Sequence, residues 1–174
     1  MKKYLIWLIP VLVFAADRVT KILSASLPPE GKVLLPGVLG LRYTENTGIA
    51  FSLLSGAPWL LGVLSLLIVT GGIIWLHNKP LRPSLRFGLM LMLGGAVGNM
   101  YDRFFTGFVP DMIEVLFTKF AVFNVADACL TVGCCVAMLA LLSPKQPKAP
   151  AAPETAVSPE PAAAPSRKQE DENG

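Results

Sequence analysis

The sequence predicts an all-α integral membrane protein: a four-transmembrane-helix bundle with a small extracytoplasmic β platform and a disordered C-terminal tail. Three observations carry this expectation. Of the 174 residues, 53% are hydrophobic and the mean hydropathy is +0.56, more apolar than an ordinary soluble domain of this length. Four apolar runs are separated by short polar connections. Lys and Arg gather in alternate connections instead of spreading along the chain.

The first run covers residues 4–16, YLIWLIPVLVFAA. Lys2 and Lys3 before it and small residues at its end also fit a cleavable secretory signal. Asp17 and Lys21 continue the helical spacing past that point, which favours a retained first helix. The second run covers residues 58–76, and Pro58 suits a helix N-terminus, where its missing N–H is not needed. The third covers residues 87 to about 100. Gly94 and Gly98 form a small-xxx-small pair there, which lets membrane helices approach closely. The fourth covers residues 121–142. Lys2 and Lys3, then Lys79, Arg82 and Arg86, then Lys145 and Lys148 mark three cytoplasmic flanks. Both termini are therefore expected inside. Residues 27–57 and about 104–120 are expected outside.

Between the first two runs, residues 33–52 partly alternate apolar and polar side chains. With Gly37, Gly40 and Gly48 they read as short strands and turns. Residues 1–143 form the expected membrane domain. Residues 144–174 are rich in Pro and Ala, cannot bury a core, and are expected to be a disordered cytoplasmic tail. Cys129, Cys134 and Cys135 all fall in the last run without CxxC spacing; they are expected to pack as buried small apolar residues. The net charge of +3 gives no reason to expect nucleic acid.

Ionisable groups inside a membrane segment cost a few kcal/mol at least, so their presence is a functional hypothesis. Asp17 lies about 21 Å along its helix from Lys3, Asp102 about 24 Å from Arg86, and Asp127 about 27 Å from Lys145. Three helices thus bring a carboxylate to one level, near the outer edge of a hydrocarbon core about 30 Å thick. Asp17 and Lys21 share a helical face, as do Asn99 and Asp102, and Asn124 and Asp127. Arg18 and Arg103 taken singly fit snorkelling. Short Asp and Asn side chains cannot snorkel far, so the set points to a polar cluster facing the bundle interior.

The inventory limits the chemistry. The only histidine, His77, lies beside the cytoplasmic connection. That removes a Ser-His-Asp triad and a histidine metal site. A carboxylate magnesium site would go with phosphate substrates, and no Gly-rich phosphate loop is present. A Ser/Lys protease could use Lys21 as base and Ser24 or Ser52 as nucleophile. A proton or ion relay could also gather such charges, but they sit at one level and no inverted repeat is visible. Two carboxylates sharing one proton remain, one withdrawing a proton from water and the other donating to a carbonyl oxygen.

Four segments match a family pattern in order: DRVTK at 17–21, ENTGIAFS at 45–52, GNMYDRFFTGFVPD at 98–111 and FNVAD at 123–127. Over residues 4–142 the chain resembles lipoprotein signal peptidase, or signal peptidase II, of bacterial inner membranes. The resemblance implies an aspartic endopeptidase with its site near the extracytoplasmic face. It would cut prolipoprotein signal peptides before a cysteine carrying diacylglycerol. Asp111 and Asp127 match the catalytic pair. Asp17, Lys21, Asn46, Gly48, Asn99, Asp102, Arg103 and Asn124 match the supporting positions. No metal or cofactor is implied. The expected partners are diacylglyceryl-modified prolipoproteins and membrane lipid, and the expected state is a monomer. Met112 stands where the family pattern has Phe, and Pro110 restricts the backbone before Asp111.

Each supporting residue has an expected task. Asn99 and Asn124 orient the two carboxylates, and Asp17 and Lys21 brace the first helix against the cluster. A pair between Asp102 and Arg103 anchors the end of the third helix. Asn46 and Gly48 hold the substrate backbone extended.

Overall fold

The computed structural model describes residues 2–48 and 57–143. Its elements in chain order are α1 Lys2–Leu5, α2 Leu8–Ser24, β1 Lys32–Leu35, β2 Leu39–Asn46, α3 Pro58–Asn78, α4 Pro83–Phe105, β3 Val109–Val115 and α5 Val125–Leu142. The protein is mostly helical with one small sheet. Ser52 and the tail from residue 144 lie outside the described residues.

Pro10 explains why the first helical segment is divided. Its nitrogen cannot donate to the carbonyl of Ile6, and its ring crowds that carbonyl. The chain makes a turn at Ile6–Trp7 and restarts at Leu8, placing Pro10 in the first turn of α2, where it is tolerated. The helix then runs to Ser24, well beyond the apolar run that ends at residue 16.

Helix α4 is central, with α2, α3 and α5 all packed against it. Small residues permit the approach. Gly88 of α4 and Gly133 of α5 meet backbone to backbone: a Cβ on Gly88 would come within 2.6 Å of the Gly133 carbonyl oxygen. Gly94 faces Pro10 and Val13 of α2 equally tightly, as the glycine spacing in the third run predicts. Val69, Leu76, Met90 and Leu93 make the apolar core between α3 and α4.

The sheet has the order β1-β2-β3, antiparallel throughout. Strands β1 and β2 occupy the segment expected to be extended. Strand β3 was not expected; its residues read as loop. The reason is physical. Val109, Pro110, Asp111 and Met112 are all buried, so the strand carries no polar-apolar alternation to reveal it. Pro110 stands near its start, where a missing donor is tolerated. Thr44 of β2 lies opposite Asp111, and Asn46 opposite Val109. The other edge of β3 is covered locally by Phe123, which pairs with Ile113. That pairing keeps residues 121–123 extended and delays α5 to Val125, four residues after the apolar run begins.

Burial is inverted relative to a water-soluble bundle. The fully buried side chains include Asn124, Asp17, Asp102 and Asp111, while Leu12, Ile22, Leu67, Leu139 and Leu142 point outward. Helices α3 and α5 are long and apolar enough to cross a membrane, yet only 22% of each apolar window is buried. A core helix of a soluble protein would be mostly buried, so these surfaces suit lipid. Cys134 and Cys135 share that outward face and Cys129 is half-buried. The expectation of three buried cysteines is corrected: the inner face of α5 is taken by Ala126, Gly133, Ala137 and Ala140, which allow a closer approach.

Candidate active site

Helix α2 turns one polar stripe inward, with Asp17, Lys21 and Ser24 buried at helical spacing. Lys21 Nζ meets Asp102 Oδ2 at 2.7 Å, Asp17 Oδ2 at 2.8 Å and Asn99 Oδ1 at 3.0 Å. It donates to Asp102 and Asn99, and its approach to Asp17 is a charge contact. Arg18 closes one side of the cluster: its Nη2 lies 2.6 Å from Asp102 Oδ1 and 3.2 Å from Asp17 Oδ2. The shorter approach is a charge contact without hydrogen-bond direction.

Asp17 also reaches across to α5. Its Oδ1 accepts the backbone N–H of Ala126 at 3.0 Å, one of the donors that a helix N-terminus leaves without an intrahelical partner. Gly98 makes room for this, because a Cβ there would come within 2.6 Å of Asp17 Oδ2. The first helix thus fixes the start of the last, one residue before Asp127.

Asp111 and Asp127 arrive from different elements. Asp111 is on β3, and Asp127 is the third residue of α5. Asn124 caps that helix: its Oδ1 accepts the Asp127 N–H at 2.9 Å, and Asp127 Oδ2 faces the Asn124 N–H at 3.4 Å, completing a capping box. Asn124 Nδ2 donates to Asp111 Oδ1 at 2.6 Å. Asn46 Nδ2 donates to Asp111 Oδ2 at 3.1 Å, and Asn99 Nδ2 donates to Asp127 Oδ1 at 2.7 Å.

The direction of each amide follows from its other partner. The oxygen of Asn124 faces a backbone N–H, that of Asn46 faces the Gly48 N–H at 3.0 Å, and that of Asn99 faces the Lys21 ammonium. Those groups can only donate. Every Asn oxygen is therefore committed to an obligate donor, and every Asn nitrogen turns to a carboxylate. Three neutral amides hold Asp111 and Asp127, whereas two cations hold Asp17 and Asp102.

Asp111 is 2% exposed. Burial pushes its carboxyl up to about 6; the amides of Asn46 and Asn124 and the Lys21 charge oppose the rise, and the Asp127 charge adds to it. Both carboxylates line a cavity of about 800 Å³ together with Asn46, Asn99 and Arg103. Much of the remaining wall is apolar, including Ile68, Phe120, Val122 and Leu130.

The structure brings all ten residues singled out in the sequence into one connected network, with three changes of partner. Asp102 pairs with Lys21 and Arg18, and Arg103 instead donates to the backbone oxygens of Asn99 at 3.1 Å and Gly48 at 3.2 Å. The expected Asp102–Arg103 pair does not form: the Asp102 oxygens face Lys21 and Arg18, and Arg103 turns to backbone oxygens. Within the protein, Asn46 supports Asp111 and the Gly48 carbonyl accepts from Arg103, and Asn46 also lines the cavity. Arg18 enters the cluster where sequence reasoning left it snorkelling. Its signal was the count of buried carboxylates, which outnumbers Lys21 and Arg103. Ser24 Oγ donates to the Lys21 backbone oxygen at 2.8 Å, and with Lys21 held by Asp102, Asn99 and Asp17 the Lys21–Ser24 alternative has no base.

The sequence model of the signal peptidase (SPase) II family matches residues 9–143. A lipoprotein signal peptidase of Streptococcus pyogenes serotype M1 is 38% identical over 144 residues, covering 81% of this chain and 95% of the relative. That of serotype M5 (strain Manfredo) has the same identity and coverage. A solved bacterial membrane enzyme, determined in meso at 2.3 Å, superposes with a TM-score of 0.72 at 29% identity over 78% of this chain and 85% of that one. A second, at 1.9 Å, gives 0.70 at 29% identity, over 78% and 90%. With the family pattern running from α2 to the end of α5, the chain belongs to the signal peptidase II family.

Proposed function

We propose that this protein is an aspartic endopeptidase of the bacterial inner membrane that removes signal peptides from prolipoproteins, cleaving before a diacylglyceryl-modified cysteine. The observation that carries the reading is the pair Asp111 and Asp127, placed on separate elements, facing one cavity, and held only by amides and a helix N-terminus. Three buried carboxylates, Asp17, Asp102 and Asp111, and the half-buried Asp127 accompany three cations, Arg18, Lys21 and Arg103. One proton makes the group neutral. Asp17 and Asp102 are ion-paired, so the proton belongs to the other two. Both oxygens of Asp111 accept well-formed amide bonds, which favour its ionised form, while Asp127 Oδ2 has only the 3.4 Å contact. Asp111 is the base and Asp127 the acid.

In the reaction Asp111 takes a proton from water as the water oxygen attacks the scissile carbonyl carbon. Asp127 gives its proton to the carbonyl oxygen. The tetrahedral adduct then breaks its C–N bond, the leaving nitrogen takes the proton held by Asp111, and Asp127 recovers its own. The products are the signal peptide's new carboxyl end and the free amine of the lipidated cysteine. A base near pH 6 suits work at neutral pH. The apolar wall suits acyl chains, since burying a CH₂ group contributes roughly 0.8 kcal/mol.

Helices α2 and α4 join α3 and α5 as spans in this reading, with both termini cytoplasmic, the sheet outside, and residues 144–174 a solvated tail with no part in the chemistry. The protein works as a monomer. The test is to incubate purified protein with lipidated and unlipidated forms of one prolipoprotein and to follow signal-peptide release. Fast release from the lipidated form and much slower release from the other is expected. Equal rates would indicate a general membrane protease.

A further inference from the structure

We infer that Arg18 is a positioning residue for this reaction: it completes the neutral charge set around the two cavity carboxylates and holds the chain of contacts that ends on Asp127. The inference rests on the aspartic reading above. The chain is continuous. Arg18 Nη2 faces Asp102 Oδ1 at 2.6 Å, Asp102 Oδ2 faces Lys21 Nζ at 2.7 Å, Lys21 donates to Asn99 Oδ1 at 3.0 Å, and Asn99 Nδ2 donates to Asp127 Oδ1 at 2.7 Å. Every member after Arg18 has both of its ends occupied. Arg18 is the end that faces outward.

Its seat is built to keep it there. The guanidinium carbon lies 4.9 Å from the ring centre of Tyr101 and 5.8 Å from that of Phe14. Tyr101 is in turn stacked on Phe105 at 4.5 Å and meets Phe14 edge-on at 5.7 Å. The aromatic faces attract the cation. An arginine that merely reached for the interface would direct its charge away from the bundle. This one directs it inward, with its side chain only 19% exposed.

The groups that share this field are Asp17 and Lys21 on α2, Asp102 and Arg103 on α4, Asp111 on β3, Asp127 on α5, and Tyr43 on β2, which senses Asp102. Removing the Arg18 charge leaves Asp102 half-paired. The whole set then carries one excess negative charge while the two cavity carboxylates hold a single proton. Restoring neutrality needs a second proton, which would occupy the base. Asp111 would therefore be disabled at a higher pH than in the native protein.

The test compares pH profiles of kcat/KM for prolipoprotein cleavage by the native protein, Arg18→Gln and Arg18→Lys. The native protein must cleave and must lose activity on acidification; failure there would count against the aspartic reading and not against Arg18 alone. Given that, Arg18→Gln is expected to move the acid limb upward by about half a pH unit or more, with KM for the lipidated substrate little changed. Arg18→Lys keeps the charge but not the planar fork; it is expected to keep the native limb while melting at lower temperature. A limb unmoved in Arg18→Gln, with or without a lower plateau, would overturn the inference by reducing Arg18 to packing. Should Arg18→Gln not fold, Arg18→Met, which keeps the length without the charge, takes its place: a raised limb supports the role of charge, and an unmoved limb overturns it.

Discussion

Two pairs of aspartates, all buried but the half-buried Asp127, sit side by side in this protein and are held in opposite ways. Asp17 and Asp102 share Lys21 and Arg18, so each carboxylate has cations within about a hydrogen-bond length. Asp111 and Asp127 are served by three Asn amides and a backbone N–H. Burial alone does not separate the pairs, since Asp17, Asp102 and Asp111 are all 2% exposed or less. The partners separate them. On the proposed reading, the pair held by cations serves architecture, and the pair held by neutral donors, whose proton is free to move, serves chemistry.

The largest effect expected from this contrast is on cleavage. Asp111→Asn and Asp127→Asn should each lower it by roughly 10²–10⁴-fold or more, in protein that purifies and melts like the native form. Near-native cleavage by either variant would remove that aspartate from the pair. Substitution in the other pair should strike the fold first. Lys21→Met leaves Asp17 and Asp102 short of a partner in the interior, a loss of about 3–5 kcal/mol visible in thermal melts in detergent or lipid. A melt unchanged by Lys21→Met would mean that the cluster does not brace α2 against α4.

The pH dependence of stability separates the pairs next. Burial raises the Asp111 carboxyl from 3.8 to about 6. Between those values the folded protein keeps a proton that the unfolded chain has released, so stability from this group falls as pH rises from 4 to 6. Melting temperatures across that range should shift in favour of Asp111→Asn relative to the native protein as the pH increases. A shift in the opposite direction would mean that the folded protein favours the charged form.

Smaller effects belong to the frame. Gly98→Ala pushes a methyl group against Asp17 and should cost about 1–3 kcal/mol, read in the same melts. Cys134→Ala and Cys135→Ala alter only the outward face of α5 and should stay within about 0.5 kcal/mol with native cleavage. A large loss from either would show that this face packs against something other than lipid.

Much of this contrast was legible in the sequence. Carboxylates spaced at one height on separate apolar runs announced a cluster, and the DRVTK and FNVAD segments placed its members. The helices over the apolar runs and the close approach at Gly94 followed from composition and spacing. Strand β3 did not, because a strand buried on both faces loses its alternation and Pro110 argues against it. The division of partners did not either. Lys21 was assigned to bracing, but only the folded geometry joins it to Asp102 and excludes Arg103. The delayed start of α5 depends on a pairing between Phe123 and Ile113 that no local pattern encodes.

The claim that the second pair shares one proton can be read directly by infrared difference spectroscopy on lipid-reconstituted protein at neutral pH. A protonated carboxyl has a carbonyl stretch that a carboxylate lacks. The native protein is expected to show one such band from a buried group, absent in Asp127→Asn and retained in Asp17→Asn and Asp102→Asn protein that remains folded. A native spectrum without that band, or a band that survives Asp127→Asn and disappears with Asp17 or Asp102, would contradict the division between the two pairs.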